Sequence, residues 1–113
     1  MNSWKIVFYR TARGKEPVSE FIRDLGKRDQ GKIIWTVDLL KEHGTSLPAP
    51  YLKRLTRINK LWELRTKQYR IFLSFLPKKN IILIHAIKKK TAKTPKKDLQ
   101  LAEQRLKEIE KNY

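Results

Sequence analysis

The spacing of hydrophobic and polar positions changes period along this chain. Residues 4–9, WKIVFY, combine aromatic and β-branched side chains and predict a first strand. Gly14 and Lys15 lead out of it, and Pro17 suits the first turn of a helix, where its missing N–H costs nothing. Val18, Phe21, Ile22 and Leu25 recur at i, i+3, i+4 and i+7, the spacing of one helical face, and Gly26 ends the run. A second helix is predicted from Asp29 to His43. Ile33, Val37 and Leu40 form its stripe, widened by Ile34 and Leu39, with Gly44 at the C-terminal stop. Residues 46–50, SLPAP, read as a stiff connector.

Beyond the connector the period becomes two. Residues 51–55 predict a short strand, and residues 60–66, KLWELRT, a clearer one. Residues 69–76, YRIFLSFL, predict the next, and Pro77 to Asn80 turn the chain into a buried strand over 81–87, IILIHAI. Thr94-Pro95 opens a last helix, Thr94 as cap and Pro95 at the first helical position. Leu99, Ala102, Leu106 and Ile109 are its stripe. The order predicts an α+β fold: a small antiparallel-rich sheet, two N-terminal helices packed on one face, and a C-terminal helix. Trp4, Trp35 and Trp62 are expected in the core, and His85 as a core histidine satisfied by a backbone group.

Alternation also sorts the faces of the sheet. If Trp62, Leu64, Ile71 and Leu73 face the helices, then Glu63, Arg65, Arg70 and Phe72 share the other face. Left open, that face is a positive hollow with Phe72 as an apolar floor on which a base could stack.

Charge sharpens this picture. The 113 residues carry 27 Lys and Arg against 11 Asp and Glu, a net charge of +16. Self-repulsion on that scale calls for a compensating partner, with nucleic acid first, an acidic protein second and an anionic membrane third. The window between Glu63 and Asp98 contains no acidic residue and eleven Lys or Arg. Six of these, Lys88, Lys89, Lys90, Lys93, Lys96 and Lys97, follow the apolar strand directly and are expected to rim the hollow. Arg offers forked donors to phosphate oxygens and Lys offers point charges. Lys96 and Lys97 also fall in the first turn of a helix, where cations oppose the dipole unless an anion is near.

Composition narrows the chemistry. Hydrophobic residues are 40% of the chain, which argues against a disordered polycation. No cysteine is present, excluding disulfides, thiolate catalysis and cysteine zinc sites. With two His and few acids no metal or other cofactor is expected. No apolar run approaches the ~20 residues of a membrane span. These features are expected of one cytoplasmic domain over residues 1–113.

LWELR (61–65), YRI (69–71) and IHAIKKKTAKTP (84–95), together with PVSEFI (17–22) and LPAPYLKRL (47–55), resemble the RelE/ParE superfamily of bacterial toxins. The resemblance is nearest to its phage-derived, HigB-type branch and spans nearly the whole chain. It implies the toxin of a type II toxin–antitoxin system, a metal-independent endoribonuclease that cleaves mRNA on the ribosome and stops translation. A cognate acidic antitoxin, HigA-like and DNA-binding, is the implied partner. Arg65 and Arg70 match the family's strand arginines, which implies that they hold the scissile phosphate. Lys89 and Lys90 match the paired lysines, and Lys93 the lysine before Thr-Pro. Glu63 and Lys89 are candidates for proton transfer, with His85 an alternative. Lys67, Phe72, Lys88, Lys90, Lys93 and Lys96 are candidate RNA contacts. Ala86 and Ile87 depart from the usual Gly and Phe, and the only tyrosine near the C-terminus is Tyr113. Two other readings stay open: a ParE-like gyrase inhibitor, and a non-catalytic nucleic-acid-binding module.

Overall fold

The structure is a computed structural model, which describes residues 3–56, 60–90 and 92–112, Thr56 by its backbone only. Its elements are β1 (Lys5–Phe8), α1 (Pro17–Arg23), α2 (Lys27–His43), β2 (Leu52–Thr56), β3 (Leu61–Thr66), β4 (Tyr69–Leu76), β5 (Asn80–Lys88) and α3 (Lys96–Asn112), with a 3₁₀ turn at Gly44–Ser46. The five strands make one mixed sheet in the order β1-β5-β4-β3-β2. β1 runs parallel to β5, and every other pairing is antiparallel. This is the expected α+β class.

The sheet has a core on each face. On one side α1 and α2 bury Val18, Ile33 and Leu40 against Leu64, Ile71, Leu73, Ile81 and Leu83. Tyr69 joins this layer and donates its hydroxyl to Asp29 of α2 at 2.6 Å, which pins β4 to the helix. On the other side α3 lays Ala102, Leu106 and Ile109 against Leu61, Phe72, Ile82 and Ile84. The expected open face is therefore covered over most of its length. A 17-residue amphipathic helix with an apolar stripe must bury that stripe, and this face supplies the matching surface.

A bulge adjusts β5 to its two-sided burial. Phe72 faces His85 while Leu73 faces Leu83, so Ile84 is the extra residue. Ile84 and His85 then both serve the α3 side, and His85 stacks on Phe72 with centroids 5.9 Å apart and planes at 14°. At the end of α2, Gly44 adopts φ +55°, and the Trp4 indole lies where a Cβ would project, so only glycine fits.

Two expectations of burial fail on α2. Trp35 is 55% exposed and Ile34 52% exposed, although both were expected in the buried stripe or core. The helix buries Ile33, Thr36 and Leu40. At 3.6 residues per turn Trp35 lies two positions, about 200°, from Ile33 and so points the other way.

A candidate cationic site at the end of the sheet

β3 and β4 are joined by a turn at Lys67 and Gln68, where Lys67 has φ +53°. The strand register sets Arg65 directly opposite Arg70 and Glu63 opposite Phe72. All of these belong to the α3 side, so two like charges end up side by side. Glu63 is the group that permits this. Its side chain is 1% exposed, and its Oε1 accepts from Arg65 Nε at 2.7 Å and lies 3.7 Å from Arg70 Nε. Thr94 donates its hydroxyl to Oε2 at 3.3 Å. A buried carboxylate holding two guanidiniums prevents their mutual repulsion from pushing them apart.

The two arginines are not equivalent. Arg70 is 15% exposed, and its Nη1 donates to the carbonyls of Lys67 at 2.7 Å and Tyr69 at 2.9 Å, bracing the turn. Its Nε is buried with no hydrogen-bond partner. Burial pushes the Arg70 pKa down from its ordinary value, Glu63 pulls it back up, and Arg65 adds to the lowering. Arg65 is 31% exposed and is the more accessible cation.

The basic segment after β5 is tied to the same place at two points. Lys88 pairs with Tyr69 across the sheet, and the Lys89 N–H donates to the Gln68 carbonyl at 2.6 Å. Further on, the Thr94 hydroxyl reaches Glu63. The chain between these ties carries Lys90 and Lys93, both exposed, and leads to the exposed Lys96 at the start of α3. Lys89 is half-buried. Thus Glu63, Arg65, Arg70, Lys67 and the backbone at Lys88–Lys89 converge on one end of the sheet. Lys96 belongs to that end only through its helix.

The structure corrects two of the expected roles. Phe72 is fully buried, with α3 residues and His85 over it, so no base can stack there. Glu63 lies beneath its arginines with almost no exposed surface, so its place is to position them rather than to meet a ribose hydroxyl. His85, expected as a core histidine satisfied by a backbone group, is half-buried and has side-chain partners: Nε2 is 2.8 Å from Asp98 Oδ1 and Nδ1 is 3.5 Å from Arg105 Nη1. Among the described residues no group of three or more His, Asp or Glu is placed to hold a metal ion.

Alternation could not have shown the second approach to this site. On the α2 side Arg65, Lys67 and Arg70 line a cavity of about 410 Å³ with Lys32, Trp35 and Tyr51. The two arginines are therefore held by Glu63 from one direction and face a cleft in another.

A five-stranded mixed sheet with two helices on one face and one on the other is a RelE-like fold. One chain of the crystal structure of the toxin–antitoxin complex RelBE2 from Mycobacterium tuberculosis shares it, with a TM-score of 0.56 at 15% identity, covering 78% of this chain and all of that one. Residues 20–107 match the family described as phage derived protein Gp49-like (DUF891), and the chain belongs to that family. The expected phage-derived family is borne out by the family match, and the expected RelE-like fold by the structural likeness. No curated protein matches the chain.

Proposed function

We propose that this chain is the toxin of a type II toxin–antitoxin system and cleaves mRNA as an endoribonuclease, acting on the ribosome in the cytoplasm. The observation that carries the reading is the pair Arg65 and Arg70, locked by a buried Glu63 at the spot where the lysine segment is tied. Binding to a protein surface alone does not need two guanidiniums held side by side at the cost of burying a carboxylate. A phosphodiester passing through a more highly charged transition state does.

In this reading Arg65 contacts the phosphate and Arg70 supplies a second, partly desolvated cation, which counts for more where water is excluded. Lys67, Lys88, Lys90, Lys93 and Lys96 hold the flanking backbone. The ribose 2′-oxygen attacks phosphorus as its proton leaves to a base, the bond to the 5′-oxygen breaks, and that oxygen takes up a proton from an acid. The products are a 2′,3′-cyclic phosphate and a 5′-hydroxyl end. With Glu63 occupied below, Lys89 is the residue assigned to proton transfer, and no metal is called on.

The partner is an acidic antitoxin, of the HigA-like, DNA-binding kind. A net charge of +16 is offset by such a protein, and the similar fold in RelBE2 comes from a toxin–antitoxin complex. The reading is tested by expression in bacteria. Wild type should stop growth and Arg70→Ala should relieve it while keeping its circular dichroism spectrum. A folded Arg70→Ala protein as toxic as wild type would remove the site assignment. Intact mRNA beside damaged DNA in arrested cells would favour gyrase as the target.

A further inference from the structure

Trp35 is the largest exposed hydrophobic side chain among the described residues, and it stands in the wall of the cleft that Arg65 and Arg70 share. Its ring meets the Tyr51 ring edge-on, with centroids 6.2 Å apart and planes at 70°. Among the described residues no acidic side chain lines the cleft, and its volume of about 410 Å³ lies within the range of small-ligand pockets.

The cations around Trp35 are crowded. Lys32 of α2 and Lys67 of the β3–β4 turn both line the cleft, and interaction with Lys67 lowers the Lys32 pKa from its ordinary value. Burial, the Lys67 charge and Arg28 lower it further, and Asp29 works against them. Asp29 is itself engaged by the Tyr69 hydroxyl. Two ammonium groups lining one cleft repel each other, a cost to the free protein that an anion between them removes.

We propose that this cleft holds one unpaired nucleotide next to the scissile phosphate, its base stacked on Trp35 and its phosphate between Lys32 and Lys67. The inference rests on the RNA-cleaving reading and adds to it a second subsite, on the α2 side of the sheet. The shared arginines make the two subsites neighbours along one strand. Stacking on a single ring tolerates any base, so the subsite contributes affinity and register without sequence preference. It also replaces the stacking platform expected at Phe72, which α3 covers.

The probe is a short single-stranded oligoribonucleotide with methylated 2′-hydroxyls, titrated against the full chain, beside a phosphate chain of the same length without bases. Trp35→Ala should weaken binding of the first by about tenfold, within the range of one lost stack, and leave binding of the baseless chain unchanged. Trp35→Phe should restore most of the loss. Lys32→Gln with Lys67→Gln should weaken both chains and make the log–log salt slope shallower by about 0.7, one phosphate's share. Trp35 is exposed, so these variants are expected to keep the wild-type melting temperature.

If wild type arrests growth and Arg70→Ala relieves it, yet Trp35→Ala binds both chains as wild type does, the cleft assignment falls and the cleavage reading stands. An equal loss on both chains also overturns it, because stacking is then not involved. If Trp35→Ala weakens only the antitoxin, the cleft is a protein-docking site and the proposal is overturned. If wild type neither binds the oligonucleotide nor cleaves message in cells, both readings fall together.

Discussion

The two faces of the sheet use the same alternation of residues to different ends. The face under α1 and α2 is an apolar layer, with Leu64, Ile71, Leu73 and Leu83 fully buried and Tyr69–Asp29 as its polar tie. The face under α3 is apolar along Phe72, Ile82 and Ile84 and ionic towards the β3–β4 turn, where Glu63, Arg65 and Arg70 meet. Between these parts lies the His85–Asp98–Arg105 group, a polar seam that joins α3 to β5. The first face holds the fold. The second gives part of its buried area to Glu63 and the two arginines, and α3 covers the apolar remainder.

That contrast can be broken by substitution, and the expected effects fall in order. Ile71→Ala, on the α1/α2 face, should cost about 2–5 kcal/mol in a denaturant melt, a large share of the stability of a domain this small. Arg70→Ala, on the ionic face, should lower RNA cleavage by about 10²–10³-fold, as loss of a preorganised donor to a developing charge does, with a much smaller shift in melting. Glu63→Gln should show both kinds of loss. It removes the charge that holds the guanidiniums, so cleavage should fall at least tenfold and stability by about 1–3 kcal/mol. A Glu63→Gln enzyme with full activity would mean the arginines need no buried anion. Asp98→Asn weakens only the polar seam, so it should cost about 1 kcal/mol in melting and leave cleavage within twofold of wild type.

The smallest effect is alkaline. Hydrogen bonds to carboxylates raise two tyrosine pKa values, Tyr69 through Asp29 first and then burial, and Tyr9 through burial first and then Glu108. A folded-state pKa above the unfolded value gives stability that is complete below about pH 10 and is lost as pH rises through the folded value. Wild type should therefore melt progressively earlier above pH 10. Tyr69→Phe should flatten that decline, as read by melting temperature across a pH series.

Much of this contrast could be read from the chain. The strands, their facing residues and the grouping of Glu63, Arg65 and Arg70 follow from period-two spacing, and the structure keeps them together. Alternation, however, tells which residues share a face and not whether the face is covered. The signs of cover were present: α3 has an apolar stripe with no predicted partner, and Ile81 to Ile84 is apolar on both sides, the pattern of a strand buried twice. Taken together they predict α3 over Phe72. Trp35 is aromatic, which favours the core, but it lies about 200° round α2 from the buried Ile33 and so is exposed. Its proximity to Lys67 and Arg65 depends on how α2 crosses the sheet, which no local pattern encodes.

The central claim is that the paired arginines serve RNA cleavage. Mapping the 5′ ends of cellular mRNA after brief induction, in wild type and in a folded Arg70→Ala variant, tests it most directly. New 5′-hydroxyl ends are expected within coding regions for wild type and none for Arg70→Ala. Growth arrest by wild type with mRNA left whole would contradict it.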